Sequence, residues 1–383
     1  MLGGHKFVWV DTVFLHISFM RAFFRSILLR PILWLVNRYS SDPDRERIFS
    51  ALSGLRQTME HDPGKKGFMI PFNPESHRFI IFSDQHKGRK NGSDDFMAAE
   101  KAYIQALRFY NDNKFHFICL GDSEELWENT ILQVMKQNQA SFDLEKLFVV
   151  RDAFTKVVGN HDLDWEIDPL AANYLKKIYD TSVPIFQGLI LQTSIGEKVL
   201  RIFCTHGHQG DLQSDGNWFS KFFVTKIWAP LQAWLRIYPN TPAYNDQLKT
   251  THNKLMYEWA MQQKDLVLIT GHTHQPVFGS LTHFERLQWE HRKALYEQNL
   301  EWAKAIEDEM KWRSVEDRSV ADDYANIKPV YFNSGCCCFF DGNITGIEIA
   351  EGYIRLIEWK NVEGAIKRIV LEEQKLTDLI REL

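Results

Sequence analysis

The chain of 383 residues has little cysteine, no excess of basic charge and no long uncharged apolar run. Its five cysteines are an odd number, and three form the adjacent run Cys336, Cys337 and Cys338, which is not the disulfide framework of a secreted domain. A reducing, cytoplasmic compartment is expected. Formal net charge is -5, and no basic stripe is evident, so no nucleic acid is expected as a partner. Internal repeats and low-complexity tracts are also missing. With 44% hydrophobic and 25% charged residues, the composition excludes collagen-like, coiled-coil and wholly disordered chains.

The apolar stretch over residues 7–36 is interrupted by Asp11, Arg21, Arg25 and Arg30, and its longest uncharged part is Thr12 to Met20. A spanning helix needs about 20 consecutive, mostly apolar residues. A secretory signal also fits poorly, because Asp11 lies inside the apolar region and no small-residue cleavage site follows. No acidic residue occurs from Thr12 to Ser41, whereas Arg21, Arg25, Arg30 and Arg38 interleave with Phe14, Phe19, Phe23, Phe24, Leu28 and Trp34. Residues 12–38 therefore suit an interfacial helix on the inner face of an anionic membrane. The same pattern suits a helix packed on the body with its arginines snorkelling.

What is present from Arg78 onward is a series of short apolar runs, each ending in a polar cluster. Arg78 to Phe82, His116 to Leu120, Thr155 to Val158, Leu200 to Cys204 and Leu266 to Thr270 read as buried strands, with a helix over Asp95 to Tyr110. The clusters that follow them are Asp84-x-His86, Gly121-Asp122, Gly159-Asn160-His161-Asp162, His206-Gly207-His208 and Gly271-His272-x-His274. In an open α/β sheet, ligands bind beyond the carboxyl ends of the strands, so these loops are expected to converge.

Thr345 to Ile349 and Tyr353 to Trp359 read as a closing hairpin. The expected domains are an apolar and basic extension over residues 1–76 and a catalytic domain over 77–383. Two insertions are expected in the latter. One is an aromatic helical cap over 212–262; the other, over 284–325, is charged and reads as a long, largely solvated helix.

The ordered blocks resemble those of the calcineurin-like metallophosphoesterases over roughly Arg78 to Trp359. The activity this resemblance implies, phosphoester hydrolysis, lacks a good nucleophile at neutral pH, and two metal ions can share a water, lower its pKa and clamp the phosphoryl oxygens. The resemblance implies an α/β fold with a two-sheet β core flanked by helices and two divalent metals at one edge. By the same resemblance, Asp84, His86, Asp122 and His274 would hold one ion, and Asp122, Asn160, His206 and His272 the other, with Asp122 as the bridge. Imidazole and oxygen donors suit Mn²⁺, with Fe²⁺ and Zn²⁺ as alternatives.

His161 is placed to protonate the leaving oxygen, with Asp162 orienting it; the alternative is that His161 only orients a ligand. Lys87, Arg89 and Lys90 could neutralise a phosphate or lie on a solvated loop. His208 could contact substrate or fill the shell, Glu124 and Glu125 are expected to cap the next helix, and Cys336 to Cys338 are expected to pack within a strand. The aromatic cap, with Trp218, Phe222 and Arg236 as candidate substrate contacts, resembles the lid of the UDP-2,3-diacylglucosamine pyrophosphatase group. That resemblance implies a lipid-linked nucleotide as substrate. Members of that group carry Arg where this chain has His161, and a soluble cyclic nucleotide, phosphomonoester, phosphoprotein or nucleic acid is the alternative substrate. A non-catalytic scaffold is disfavoured, because every ligand position is filled.

Overall fold

The computed structural model describes residues 43–91, 94–210, 246–313 and 327–383. The expected membrane-facing segment 12–38 and the candidate contacts Trp218, Phe222 and Arg236 lie outside the described residues. Fourteen strands occur among those described. In chain order they are β1 (Gly67–Pro71), β2 (Phe79–Phe82), β3 (His116–Leu120), β4 (Phe154–Val157), β5 (Ile185–Phe186), β6 (Gly188–Ile195) and β7 (Lys198–Thr205). The remaining strands are β8 (Leu266–Thr270), β9 (Val277–Phe278), β10 (Leu281–Thr282), β11 (Tyr331–Asn333), β12 (Ile344–Ala350), β13 (Tyr353–Val362) and β14 (Ala365–Lys375).

They form two seven-stranded sheets, ordered β1-β6-β7-β8-β11-β9-β10 and β14-β13-β12-β2-β3-β4-β5. The five strands that precede the polar clusters therefore divide between two sheets. β2, β3 and β4 run parallel in the second sheet, and β7 and β8 run parallel in the first. The hairpin of β12 and β13 is antiparallel and borders β2.

Side chains alternate across each strand, which explains why these sequences read as continuous apolar runs rather than as amphipathic ones. Phe79, Ile81, Ile118 and Leu120 meet Leu200, Ile202, Val267 and Ile269 in a core between the sheets. Ile80, Phe82 and Phe117 point the other way, against helix Phe96–Asp112. On the outer face of the first sheet, Phe203, Leu266 and Leu268 pack on helices Arg45–His61 and Asp246–Met261 through Leu52, Leu55, Met256 and Trp259. Both sheets are thus covered, giving helix, sheet, sheet and helix layers.

Some segments differ from expectation in instructive ways. Helix Arg45–His61 and β1, inside the expected extension, belong to the first sheet and its cover, since β1 pairs with β6. Helix Asp246–Met261, the described end of the expected cap, packs on the same face. The expected single charged helix is two helices, His283–Tyr296 and Leu300–Arg313. The break falls where Gln298 takes a left-handed φ of 55° and Asn299 Oδ1 accepts the Trp302 N–H at 3.2 Å, and Leu287, Ala294, Ala303 and Ile306 close the pair. No helix among the described residues is long and apolar enough to cross a membrane.

Beneath the carboxyl ends of β2 to β4 lies a charged cluster with no solvent contact. Lys87 Nζ donates to Glu145 Oε1 at 2.5 Å and stands 3.3 Å from Glu124, while Lys156 Nζ lies 2.8 Å from Glu124. Tyr103 and Tyr179 donate their hydroxyls to Glu145 at 2.9 and 2.7 Å, and Trp165 Nε1 donates to Glu124 at 2.6 Å. Burial alone would raise the Glu124 carboxyl, but Lys156 and Lys87 bring it down to about 2. Lys87 is therefore a buried counterion and not a phosphate contact, correcting the expectation from sequence. Glu124 caps no helix, because its charge is consumed here.

Removing one member strands the others in a dry interior, which costs about 3–5 kcal/mol. Lys87→Met is expected to lower stability by that amount in a denaturant titration. Adding Glu145→Gln to it should recover part of the loss, because it removes a charge left without its partner. An unchanged midpoint in the single variant would show that the cluster does not hold these loops.

Candidate metal centre

The loops that follow β2, β3, β4, β7 and β8 converge at one edge of the sandwich, where the carboxyl ends of the two sheets meet. Asp84, His86, Asp122, Asn160 and His161 come from the second sheet, and His206, His272 and His274 from the first. All are buried or nearly so. Asp84, His86, Asp122, His272 and His274 have φ between 49° and 69°, the left-handed region that non-glycine residues seldom occupy. Each turns the chain sharply at a strand end. Such conformations cost energy and cluster at functional sites.

Two glycines set the spacing. A Cβ on Gly159 would stand 2.1 Å from Asp122 Oδ1, and one on Gly121, whose φ is 88°, would stand 2.5 Å from the His206 ring. The chain can bring Asn160 and His206 up to Asp122 only without those side chains.

His206 Nε2 lies 3.2 Å from Asp122 Oδ2 and 3.2 Å from Asn160 Oδ1, while its Nδ1 faces the Leu120 carbonyl at 3.0 Å. His274 Nε2 lies 3.2 Å from Asp84 Oδ1 and 3.1 Å from His86 Nε2. Donor atoms of Asp84, His86 and Asp122 lie within 4.8 Å of one another, as do those of Asp122, His206 and His272. Asp122 belongs to both groups.

These residues fit a pair of cations on two counts. His272 Nε2 is buried and has no hydrogen-bond partner, the state of a donor atom aimed at an ion. The carboxylates also attract positive charge strongly. Burial alone would lower His206 and His274, yet Asp122 and Asp84 hold His206 up to about 9, and Cys336 and Asp84 hold His274 up to about 10. Asp122, despite its burial, is held well below the usual carboxylate range by His206 and His161.

His161 lies beside this cluster. Its N–H donates to Asp122 Oδ1 at 2.8 Å, and its Nδ1 lies 2.7 Å from Glu125 Oε2. The same Glu125 oxygen lies 3.0 Å from His86 Nδ1. Burial alone would lower the imidazole, but Glu125 and Asp122 hold it up to about 9. The Trp127 ring stacks on it with centroids 3.9 Å apart and planes 17° from parallel, and Trp127 Nε1 donates to the Asn160 carbonyl at 2.8 Å.

Asp162, expected to orient His161, is engaged elsewhere: it accepts the N–H of Ser123 at 2.8 Å and of Gly159 at 2.6 Å, tying two loops together. Glu125 takes the orienting position instead of capping a helix. His208 is buried with its ring centroid 5.3 Å from that of His206, and its Nδ1 has no partner. Arg89 is exposed on the loop after Lys87, and Lys90 Nζ is held by Glu100 at 2.7 Å.

Cys336 to Cys338 correct another expectation, because β11 ends at Asn333 and the cysteines lie in the loop beyond it. Cys338 Sγ stands 3.7 Å from His274 Nδ1. Glu125, Trp127 and this thiol were missed from sequence. Only the place of Glu125, three residues after Asp122, could have singled it out.

No curated protein matches the chain. Among solved structures, vacuolar protein sorting 29 from Cryptosporidium parvum is similar at 12% identity, with 78% of this chain and 98% of that chain covered and a TM-score of 0.31. A dimetal phosphatase from Danio rerio is similar at 11% identity, with 78% and 100% covered and a TM-score of 0.31. The calcineurin-like phosphoesterase family matches residues 77–276, more than half of the chain and the span that carries all the loops of this centre. The chain belongs to the calcineurin-like phosphoesterase family.

Proposed function

We propose that the chain is a dinuclear metal-dependent hydrolase of phosphoester or pyrophosphate bonds. The observation that carries this reading is that Asp122 belongs to two donor groups at once, with the His161 imidazole alongside, held by Glu125. One ion would be held by Asp84, His86, Asp122 and His274, and the other by Asp122, Asn160, His206 and His272. Bound there, two divalent ions would supply Lewis acidity that lowers the pKa of a water and clamps the phosphoryl oxygens. Oxygen and imidazole donors suit Mn²⁺, Fe²⁺ or Zn²⁺.

The chain's own residues divide the remaining work. Glu125 holds Nδ1 of His161, so the proton available to a leaving oxygen is the one on Nε2. Trp127 fixes the plane of that ring. Glu125 also grips Nδ1 of His86, which directs the other nitrogen of that ring toward Asp84 and Asp122.

For the substrate, we infer a lipid-linked phosphoester or nucleotide of the UDP-2,3-diacylglucosamine kind. This rests on the sequence of two segments: the aromatic stretch between the His206 and His272 loops, with Trp218, Phe222 and Arg236, and the basic and apolar stretch 12–38. The first would receive acyl chains and the second would dock on anionic lipid at the inner membrane face. A soluble phosphoester is the alternative.

Asp122→Ala is expected to lose bound metal and nearly all hydrolysis of a chromogenic phosphodiester together. Full activity with two metals retained would refute the ligand assignment. His161→Ala is expected to keep both metals and lose about 10²- to 10⁴-fold in rate, most with poor leaving groups. An equal loss for good and poor leaving groups would leave His161 an orienting role alone. Removing residues 1–38 is expected to abolish vesicle co-sedimentation, which should also weaken with salt, and to slow turnover of the lipid-linked substrate but not of a soluble one. Unchanged vesicle binding by the folded, shortened chain would exclude that segment as the membrane contact.

A further inference from the structure

Helix Asp246–Met261 buries His252, Asn253, Leu255, Met256, Trp259 and Ala260, a stripe at the spacing of one helix face laid on a sheet. Leu255, Met256, Trp259 and Ala260 lie in the apolar core outside the first sheet. His252 and Asn253 are polar, and they stand where the stripe meets the metal loops. A buried polar side chain costs stability unless it is hydrogen-bonded, so its partners decide what it does.

His252 Nε2 lies 2.8 Å from the Gly207 carbonyl. A carbonyl can only accept, so this nitrogen carries the proton and donates it. Gly207 directly follows His206 and has a φ of 106°, a conformation that favours glycine. Its N–H donates to Gln209 Oε1 at 3.0 Å, so both of its peptide groups are held. The His252 ring also packs across that of His272, with centroids 5.1 Å apart and planes 63° from parallel. Asn253 reaches the other loop. Its Oδ1 accepts from Thr273 Oγ1 at 3.1 Å and from the Tyr331 hydroxyl at 2.8 Å, and its Nδ2 donates to Gln275 Oε1 at 2.6 Å. Thr273 and Gln275 flank His274, and Thr273 directly follows His272. The two loops are tied to each other as well, because the Gly271 N–H donates to the His206 carbonyl at 3.0 Å.

We propose that His252 and Asn253 are positioning residues of the metal centre: His252 sets the place of the second ion through His206 and His272, and Asn253 sets both ions through the loop that carries His272 and His274. This rests on the ligand reading above. The contacts of His252 just described fall on the ligands of one ion, and those of Asn253 on the loop that serves both, so the two residues differ in which ion they govern. A residue that only filled space would affect the two ions alike. Removing a hydrogen-bonding partner behind a ligand weakens metal binding about 10- to 100-fold.

The test is Mn²⁺ binding to the full chain, read by calorimetric titration and by electron paramagnetic resonance, which separates a spin-coupled pair of ions from a lone one. The unaltered chain should give the coupled signal once two ions are bound. His252→Leu keeps the burial and removes the bond to Gly207. It should bind the first ion as before and the second about 10- to 100-fold more weakly, so the lone-ion signal persists until Mn²⁺ is in excess. His252→Gln, whose amide nitrogen can take the place of Nε2, should restore the second ion, and Asn253→Leu should weaken both. Unchanged binding of both ions by His252→Leu, or an equal loss of both, would overturn the proposal. Should the variants not fold, amide exchange in the unaltered chain tests the same link, because coupling between two sites is reciprocal. Exchange across Asp246–Met261 should slow as the second ion binds, and an unchanged rate overturns the proposal. An unaltered chain that never binds a pair of ions would refute the ligand assignment and the positioning with it; a pair bound equally well by His252→Leu refutes the positioning alone.

Discussion

Carboxylates buried together are the constraint on which the rest of this structure depends. Asp84, Asp122, Glu124 and Glu125 come within two short loops, and an unpaired buried charge carries a penalty of several kcal/mol. The fold answers the penalty from two sides. Below, Lys87 and Lys156 neutralise Glu124, with Glu145 and two tyrosine hydroxyls completing the cluster. Above, imidazole rings and the N–H groups of His161 and His272 face Asp122 and Asp84. The lower cluster is closed, since every charge in it has an opposite charge from the chain itself. The upper one keeps a buried nitrogen without a partner at His272, so it is the half that can accept cations.

This division explains which parts of the site were legible in the sequence. The strands were legible because their apolar runs are short and bounded, and β3 and β8 have the bounds expected from the pattern. The expected ligands stand at the ends of those strands, so their order along the chain already describes their convergence in space. The closed cluster was not legible in the same way. Lys87 follows directly on a ligand block and has the composition of a phosphate contact; its burial is decided by Glu145, 58 residues away on helix Gln139–Val150. Asp162 and Glu125 exchange the roles their neighbours suggest for a similar reason. Both are acidic residues near His161, and only the loop geometry determines which carboxylate reaches the ring.

Local rules fail at this site more than elsewhere, and the failures agree with one another. Five of the expected ligands adopt left-handed backbone that aspartate and histidine enter only at a cost. The energy for holding them there comes from the two sheets behind, whose facing side chains are fully buried. Strand ends anchored in such a core cannot relax outward, and the turns at their tips stay sharp enough to aim several side chains at one point. Strain at the tips and order in the strands are therefore one arrangement.

The histidines show how the two sheets come to act together. His86 and His161, from the second sheet, share one oxygen of Glu125, so a displacement of either ring disturbs the other. His274, from the first sheet, touches His86 through Nε2 and the cysteine loop through Nδ1. A chain of direct contacts thus runs from the Cys338 thiol through His274, His86 and Glu125 to the ring of His161, and it crosses the boundary between the sheets once, at the 3.1 Å contact of two ring nitrogens. A cation between those nitrogens would replace their hydrogen bond with coordination to both, joining the two halves of the sandwich at the point where the chemistry is expected. Metal binding and the packing of one sheet on the other are in this sense coupled through the same pair of imidazoles.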